Sequence, residues 1–138
     1  MTKLSPYLHF NGNCRQAMEF YKECIGGDLE LQSVGESQME ERMPDVPKDK
    51  IMHSSLQNNG WVLMVADMMM PETFTQGDNV SLCLVCSSKE EIESLYSKLT
   101  ADGEIFMPLK EEFFGTCAMF TDKFGTEWML QFDSKAKA

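Results

Sequence analysis

The sequence has no apolar run of about 18 residues, the length that a membrane-spanning helix needs. Its first residues, Met1 to Pro6, also lack the apolar stretch of a secretory signal peptide. Basic residues are scarce, with 12 lysines and arginines against 22 acidic residues and a formal net charge of −10. Because nucleic acids and anionic membranes bind positive surfaces, we expect neither as a partner.

Cysteine and histidine usage is also restricted. The five cysteines are an odd number and follow no regular spacing, so we expect free thiols and a cytoplasmic protein. His9 and His53 are the only two histidines, and both fall in segments that we predict to be strands. No glycine-rich nucleotide fingerprint is present either. Methionine, by contrast, occurs 12 times, which suits either an adaptable pocket or the filling of a core.

A strand-like segment occurs twice. Trp61–Asp67 follows a turn at Gly60, and Thr126–Phe132 follows a turn at Gly125. Met64 and Met129 stand at the same distance after their glycines. We therefore predict two copies of one small unit, each ending in this strand.

Each copy reads as strand, helix and three strands. Apolar residues at helical spacing mark a helix from Cys14 to Ile25, and Gly26 ends it. We expect Asn13 to cap this helix, and Ser88 with Glu91 to form a capping box on the second one. The predicted βαβββ modules span residues 5–67 and 79–133, with irregular loops at 35–49 and 108–115.

The predicted fold class is α+β, with two paired βαβββ modules. One helix covers only one face of each sheet, so the other face must be buried or form a site. We expect the two free faces to line a concave cleft.

Four segments resemble the PhnB-like branch of the vicinal oxygen chelate superfamily, which includes glyoxalase I, bleomycin-resistance proteins and extradiol dioxygenases. The segments are Pro6–Cys14, Ala17–Tyr21, Met107–Leu109 and Asp122–Met129. The resemblance implies a cup-shaped, glyoxalase-like mixed sheet and commonly a homodimer. It does not imply one reaction, because function belongs to the site and not to the fold.

In the metal-using relatives, the resemblance implies ligands on the first and last strand of each module. The corresponding positions here are Pro6, Met64, Val80 and Met129. None is a usual ligand for a hard or borderline divalent ion, so we expect no metal and no cofactor. One alternative stays open, because Glu127 shares a strand face with Met129. A register slip would allow His9, His53 and Glu127 to bind zinc or nickel.

The function expected from these residues is the binding of a small apolar or aromatic molecule in the cleft. The residues expected to line it are Met64, Met129, His53, Phe113 and Phe114. The alternative is a divalent-metal lyase, isomerase or dioxygenase-type enzyme that uses His53 and Glu127. An ordinary histidine pKa of about 6.5 suits acid–base catalysis near neutral pH. A second alternative is the ubiquinone-pathway methyltransferase that the family label names. Whether the protein is an enzyme stays open at this point.

Overall fold

The fold comprises two compact units in a computed structural model that describes residues 1–70 and 74–133. The units divide the chain after Thr75. Each contains one four-stranded sheet and one long helix, which confirms the predicted α+β class and the βαβββ order of both modules. No described helix is long and apolar enough to cross a membrane.

The first unit has strand order β1-β4-β3-β2. Its elements are β1 (Tyr7–Phe10), α1 (Cys14–Ile25), β2 (Asp28–Ser33), α2 (Met39–Arg42), β3 (Ile51–Asn58) and β4 (Trp61–Asp67). β1 pairs with β4 in parallel, and the other pairs are antiparallel. The segment predicted as an irregular loop at 35–49 contains α2, preceded by a short 3-10 helix at Val34–Glu36.

The second unit repeats this topology with strand order β5-β8-β7-β6. Its elements are β5 (Leu82–Val85), α3 (Lys89–Leu99), β6 (Glu104–Glu112), β7 (Gly115–Thr121) and β8 (Glu127–Phe132). The predicted loop at 108–115 is wrong, since β6 continues to Glu112 and only Phe113 and Phe114 form the turn. The register shifts on both sides of Met107, so the strand accommodates Pro108 at an irregularity.

One face of each sheet packs against its helix. In the first unit, the Cys14 thiol of α1 lies 3.6 Å from the Ser54 hydroxyl of β3. In the second unit, the ring of Tyr96 on α3 lies edge-on to Phe120 of β7, with centroids 6.1 Å apart. Because neighbouring residues on a strand point to opposite faces, Ser55 and Met119 lie on the helix-free faces.

The helix starts differ from the prediction. Asn13 makes no side-chain capping bond to α1. The buried carboxylate of Asp67 accepts from the Gly12 and Cys14 N–H groups instead, each at 3.0 Å. Ser88 does accept from the Glu91 N–H at 3.0 Å, but the Glu91 carboxylate bonds to the Ser87 N–H. The predicted reciprocal box on α3 is therefore only half formed, and a complete one occurs at Ser33 and Glu36.

Candidate functional site

The helix-free face of the first sheet carries a cross-strand row of four side chains. Met64 lies between Tyr7 on one side and Ser55 on the other, and Ser55 is paired with Glu30. Directly opposed residues in a sheet project from the same face at about 5 Å spacing. The row therefore places a phenol, a thioether, a hydroxyl and a carboxylate side by side across all four strands.

His53 belongs to the next row on this face, where it pairs with Gln32. The Tyr7 side chain reaches over β4, so that its hydroxyl lies 3.0 Å from His53 Nδ1. The two rings are tilted, with centroids 5.7 Å apart, and the centroids of the His9 and Tyr7 rings are 5.2 Å apart. Tyr7 thus brings both histidines of the chain into one aromatic group.

The donor in the Tyr7–His53 hydrogen bond depends on the tautomer of the imidazole. Burial raises the pKa of the Tyr7 phenol above its ordinary value, so the hydroxyl keeps its proton at neutral pH. When the phenol donates this proton to Nδ1, the neutral imidazole carries its own proton on Nε2. His53 then presents a hydrogen-bond donor to any molecule that lies on this face.

A depression of about 460 Å³ lies beside His53. It is lined by Glu30, Leu31, Gln32, His53 and Ser55. Its volume is within the range of sites that accommodate small organic molecules. The wall combines aliphatic surface with hydroxyl, amide, imidazole and carboxylate groups, so it offers both apolar contact and polar anchors.

The residues predicted to line a ligand site occupy separate parts of the fold. His53 and Met64 lie on the helix-free face of the first sheet, while Met129 lies on the corresponding face of the second sheet. Phe113 and Phe114 contact each other edge to face at the β6–β7 turn, where Phe113 is 98% exposed. Only His53 among these five lines the depression in the first unit.

Pro6 and Val80, the two first-strand positions considered for a metal, lie before the strands β1 and β5. Met64 is paired with Tyr7, and Met129 is paired with Cys83. Because β1 and β5 are only four residues long, the sequence repeat alone did not predict these pairings. The sequence did not predict four further residues of this face, namely Tyr7, Ser55, Glu30 and Gln32. Glu30 and Gln32 lie in β2, where exposed and covered residues alternate.

The side chains of the paired residues at Met64 and Met129 do not suit a divalent ion. Tyr7 and Met64 supply a protonated phenol and a thioether, and Cys83 and Met129 supply a thiol and a thioether. Within residues 1–70 and 74–133, no group of three or more His, Cys, Asp or Glu side chains is placed to hold a metal ion. Glu127 belongs to the second unit and both histidines to the first.

Two buried carboxylates have structural roles. Asp67 accepts from the Ile51 N–H at 2.9 Å in addition to its bonds at α1. Asp122 accepts from the N–H groups of Phe124 and Thr126 and from the indole N–H of Trp128, at 2.8, 3.1 and 2.7 Å. Trp128 is therefore a buried structural residue.

Comparison with known proteins places the chain in a family. The family described as 3-demethylubiquinone-9 3-methyltransferase matches residues 2–131. Protein YjdN of Escherichia coli (strain K12) is 30% identical to this chain, in an alignment that covers 92% of each chain.

Solved structures agree with this placement. Protein PA1353 from Pseudomonas aeruginosa has 36% identity and a TM-score of 0.83, covering 96% of this chain and 98% of its own. A putative 3-demethylubiquinone-9 3-methyltransferase, PhnB protein, from Bacillus cereus has 30% identity and a TM-score of 0.77, covering 96% of this chain and 100% of its own. A glyoxylase/bleomycin resistance protein/dioxygenase domain from Frankia sp. EAN1pec, at 13% identity and a TM-score of 0.66 over 99% of this chain and 96% of its own, shares the fold. The chain therefore belongs to the PhnB-like family, described as 3-demethylubiquinone-9 3-methyltransferase.

Proposed function

We propose that this protein binds a small apolar or aromatic molecule on the helix-free face of its first sheet, without a catalytic divalent metal. The observation that carries the proposal is the hydrogen bond between Tyr7 and His53, which holds an imidazole beside the 460 Å³ depression. An oriented ring at the edge of a depression is a ready polar anchor for a ligand. The cleft expected between the two modules stays a prediction.

Apolar contact on this face comes from two side chains. Met64 is half-buried, and its flexible thioether adapts to ligands of irregular shape. Tyr7 offers the exposed part of its ring for stacking. These contacts favour a flat, largely apolar ligand.

Specificity would come from the polar groups around it. His53 Nε2–H pairs with an acceptor such as a carbonyl, hydroxyl or ether oxygen. The carboxylate of Glu30 and the chain's net charge of −10 disfavour an anionic ligand. We therefore propose a neutral or cationic molecule that carries at least one hydrogen-bond acceptor.

The absence of a divalent metal from the working protein is part of the proposal. It rests on the phenol of Tyr7 and the thiol of Cys83, which are paired with the thioethers of Met64 and Met129. Protein purified without chelator should contain far less than one equivalent of zinc, nickel or iron by elemental analysis. Stoichiometric metal that is lost in His53→Ala or Glu127→Gln would support the metal-dependent enzyme instead.

The binding test is a screen of small aromatic fragments, each with one hydrogen-bond acceptor, followed by amide chemical shifts. S-Adenosylmethionine is included because the family description names methyl transfer. We expect fragments to shift the amides of Gln32, His53, Ser55 and Met64, and S-adenosylmethionine to shift none.

Two substitutions test whether His53 provides the hydrogen bond that anchors the ligand. His53→Ala should weaken fragment binding about tenfold, the effect of losing one hydrogen bond. Gln57→Ala is the matched control, since Gln57 is an exposed residue on the same strand and face. Fragments that bind His53→Ala as tightly as the wild type, or that shift only amides elsewhere, would overturn the proposal. Specific S-adenosylmethionine binding would favour the methyltransferase.

A further inference from the structure

The second sheet carries a row of sulfur atoms that the proposed function does not use. Met107 of β6 is paired with Met119 of β7, and Met119 is paired with Met129 of β8. Met129 is in turn paired with Cys83 of β5. One sulfur-bearing side chain therefore comes from each of the four strands, at one level of the sheet.

Cys83, Met119 and Met129 project from the helix-free face, and Met107 is paired with Met119 at the irregularity in β6. Trp128 and Leu130 flank Met129 along β8 and are buried, as is Phe120, which contacts α3 and lies next to Met119. Residues that alternate with them point the other way. Met119 and Met129 are half-buried, Met107 is 42% exposed, and Cys83 is exposed. The sulfur row is thus accessible in this unit.

Adjacent members of the row lie at cross-strand spacing. Directly opposed residues have Cβ atoms about 4.5–5.5 Å apart, and the long methionine side chain adapts its three rotatable bonds. Two or three neighbouring sulfurs can therefore converge on one ion without a change in the backbone. The Gln131 amide nitrogen already lies 3.7 Å from Met129 Sδ, so this sulfur acts as an acceptor on the open face.

We propose that the row formed by Met107, Met119, Met129 and Cys83 binds a soft monovalent cation of the copper(I) or silver(I) class. Thioether and thiol sulfurs select such ions over hard or borderline divalent ones. The carboxylate of Glu127 stands two residues before Met129 on the same face and adds favourable negative charge. The row belongs to the second unit, and the proposed ligand face belongs to the first.

The first sheet provides an internal comparison. The row at the same level there is Tyr7, Met64, Ser55 and Glu30, which contains a single sulfur. A general preference for methionine in this fold would have filled both rows alike. The concentration of sulfur in the second row therefore points to a ligand that selects sulfur.

Binding involves one proton and no redox change. Each thioether donates a lone pair to the cation and stays uncharged. When Cys83 takes part, its S–H bond breaks, the proton passes to the buffer and a sulfur–metal bond forms. The cation keeps its oxidation state throughout.

The test uses silver(I) nitrate as a redox-stable probe, in chloride-free buffer, with protein that carries 13C-labelled methionine methyl groups. One equivalent of silver should shift the methyl resonances of Met107, Met119 and Met129 among the 12 methionines of the chain. Copper(I), kept reduced under nitrogen, should shift the same three. Met→Leu variants assign the resonances.

Variants then measure the contribution of the row. The double variant that combines Met119→Leu and Met129→Leu conserves side-chain volume. It should weaken silver binding at least about tenfold. Met52→Leu is the matched control, because Met52 is a half-buried strand methionine outside the row, and it should bind as the wild type does.

Two results would overturn the proposal. One is silver binding that leaves all three methyl resonances unmoved, which would place the ion on other thiols. The other is a folded double variant that keeps wild-type affinity. The methyl shifts are recorded on the wild-type protein, so they decide the question even when the double variant does not fold.

Discussion

Burial alone does not identify a reactive acid in this chain. Asp67 and Asp122 are both about 3% exposed, and a buried carboxylate often marks a catalytic group. Here each one accepts three hydrogen bonds from N–H groups of the first or second unit. Their role is to fix loops and strand ends.

Replacing Asp67 tests this structural role. Asp67→Ala leaves the N–H groups of Gly12, Cys14 and Ile51 without their acceptor, so the free energy of unfolding should fall by about 3 kcal/mol or more. Urea unfolding measures the loss. The exposed Asp28→Ala serves as the control and should change stability by less than about 0.5 kcal/mol. Equal effects of the two substitutions would contradict the assigned role.

The five thiols should differ sharply in reactivity. Burial raises the pKa of Cys14 and of Cys86 to about 12, and it raises the pKa of Cys83 above its ordinary value. Cys83 is the one exposed cysteine of the five. Iodoacetamide should therefore modify Cys83 first in the folded protein, as peptide mass mapping would show.

The rate of this labelling should depend on pH. The thiolate is the nucleophile, so below the raised pKa of Cys83 the rate should increase about tenfold for each pH unit. Cys83→Ser removes the fast phase and is the control. A fast phase that survives in this variant would contradict the accessibility assigned to the row.

At the scale of elements, helix signals in the sequence were more reliable than cap and loop signals. Apolar periodicity located α1 at Cys14–Ile25 with its observed bounds. The cap on α1 was missed because Asp67, which supplies it, is distant in sequence and reaches it only through the parallel pairing of β1 with β4. Local sequence does not encode such a contact.

Pro108 accounts for the other element-scale error. Proline lacks an N–H group and normally ends a strand, so the sequence predicted a loop there. β6 is an edge strand of its sheet, and its register shifts between Met107 and Lys110. Both features remove the need for a ladder hydrogen bond at Pro108, so the strand continues.

Cap substitutions test the different helix starts. Ser88→Ala removes the acceptor for the Glu91 N–H and should reduce the free energy of unfolding by about 1 kcal/mol. Asn13→Ala removes no capping bond from α1, so it should reduce the free energy of unfolding by only about 0.3 kcal/mol. Thermal or urea unfolding of both variants gives the comparison. A larger loss for Asn13→Ala would show that Asn13 caps the helix.

At the scale of the whole molecule, the repeat in the sequence was sufficient to predict the βαβββ order of both units. It was insufficient for the site, because a shift in strand register exchanges one set of side chains for another. The observed register places Tyr7 beside Met64 and Cys83 beside Met129. These groups carry both proposals.

A homodimer, which the family resemblance implies, remains a prediction. Exposed apolar side chains cluster along β6 and its turn, including Phe106 at 55% and Phe114 at 54%. Such a cluster on an edge strand favours association. Light scattering should give twice the mass of one chain for the wild type, and Phe106→Glu with Phe114→Glu should give a monomer. A wild-type monomer at all concentrations would contradict this prediction.

The most direct measurement of the central claim is a crystal structure of the protein soaked with the acceptor-bearing aromatic fragments. The account predicts ligand density on the helix-free face of the first sheet, over Met64 and within hydrogen-bond distance of His53 Nε2. The same soak of His53→Ala should lose that density. Crystals that show fragments only at other surfaces, or none on this face at saturating concentration, would contradict the proposed function.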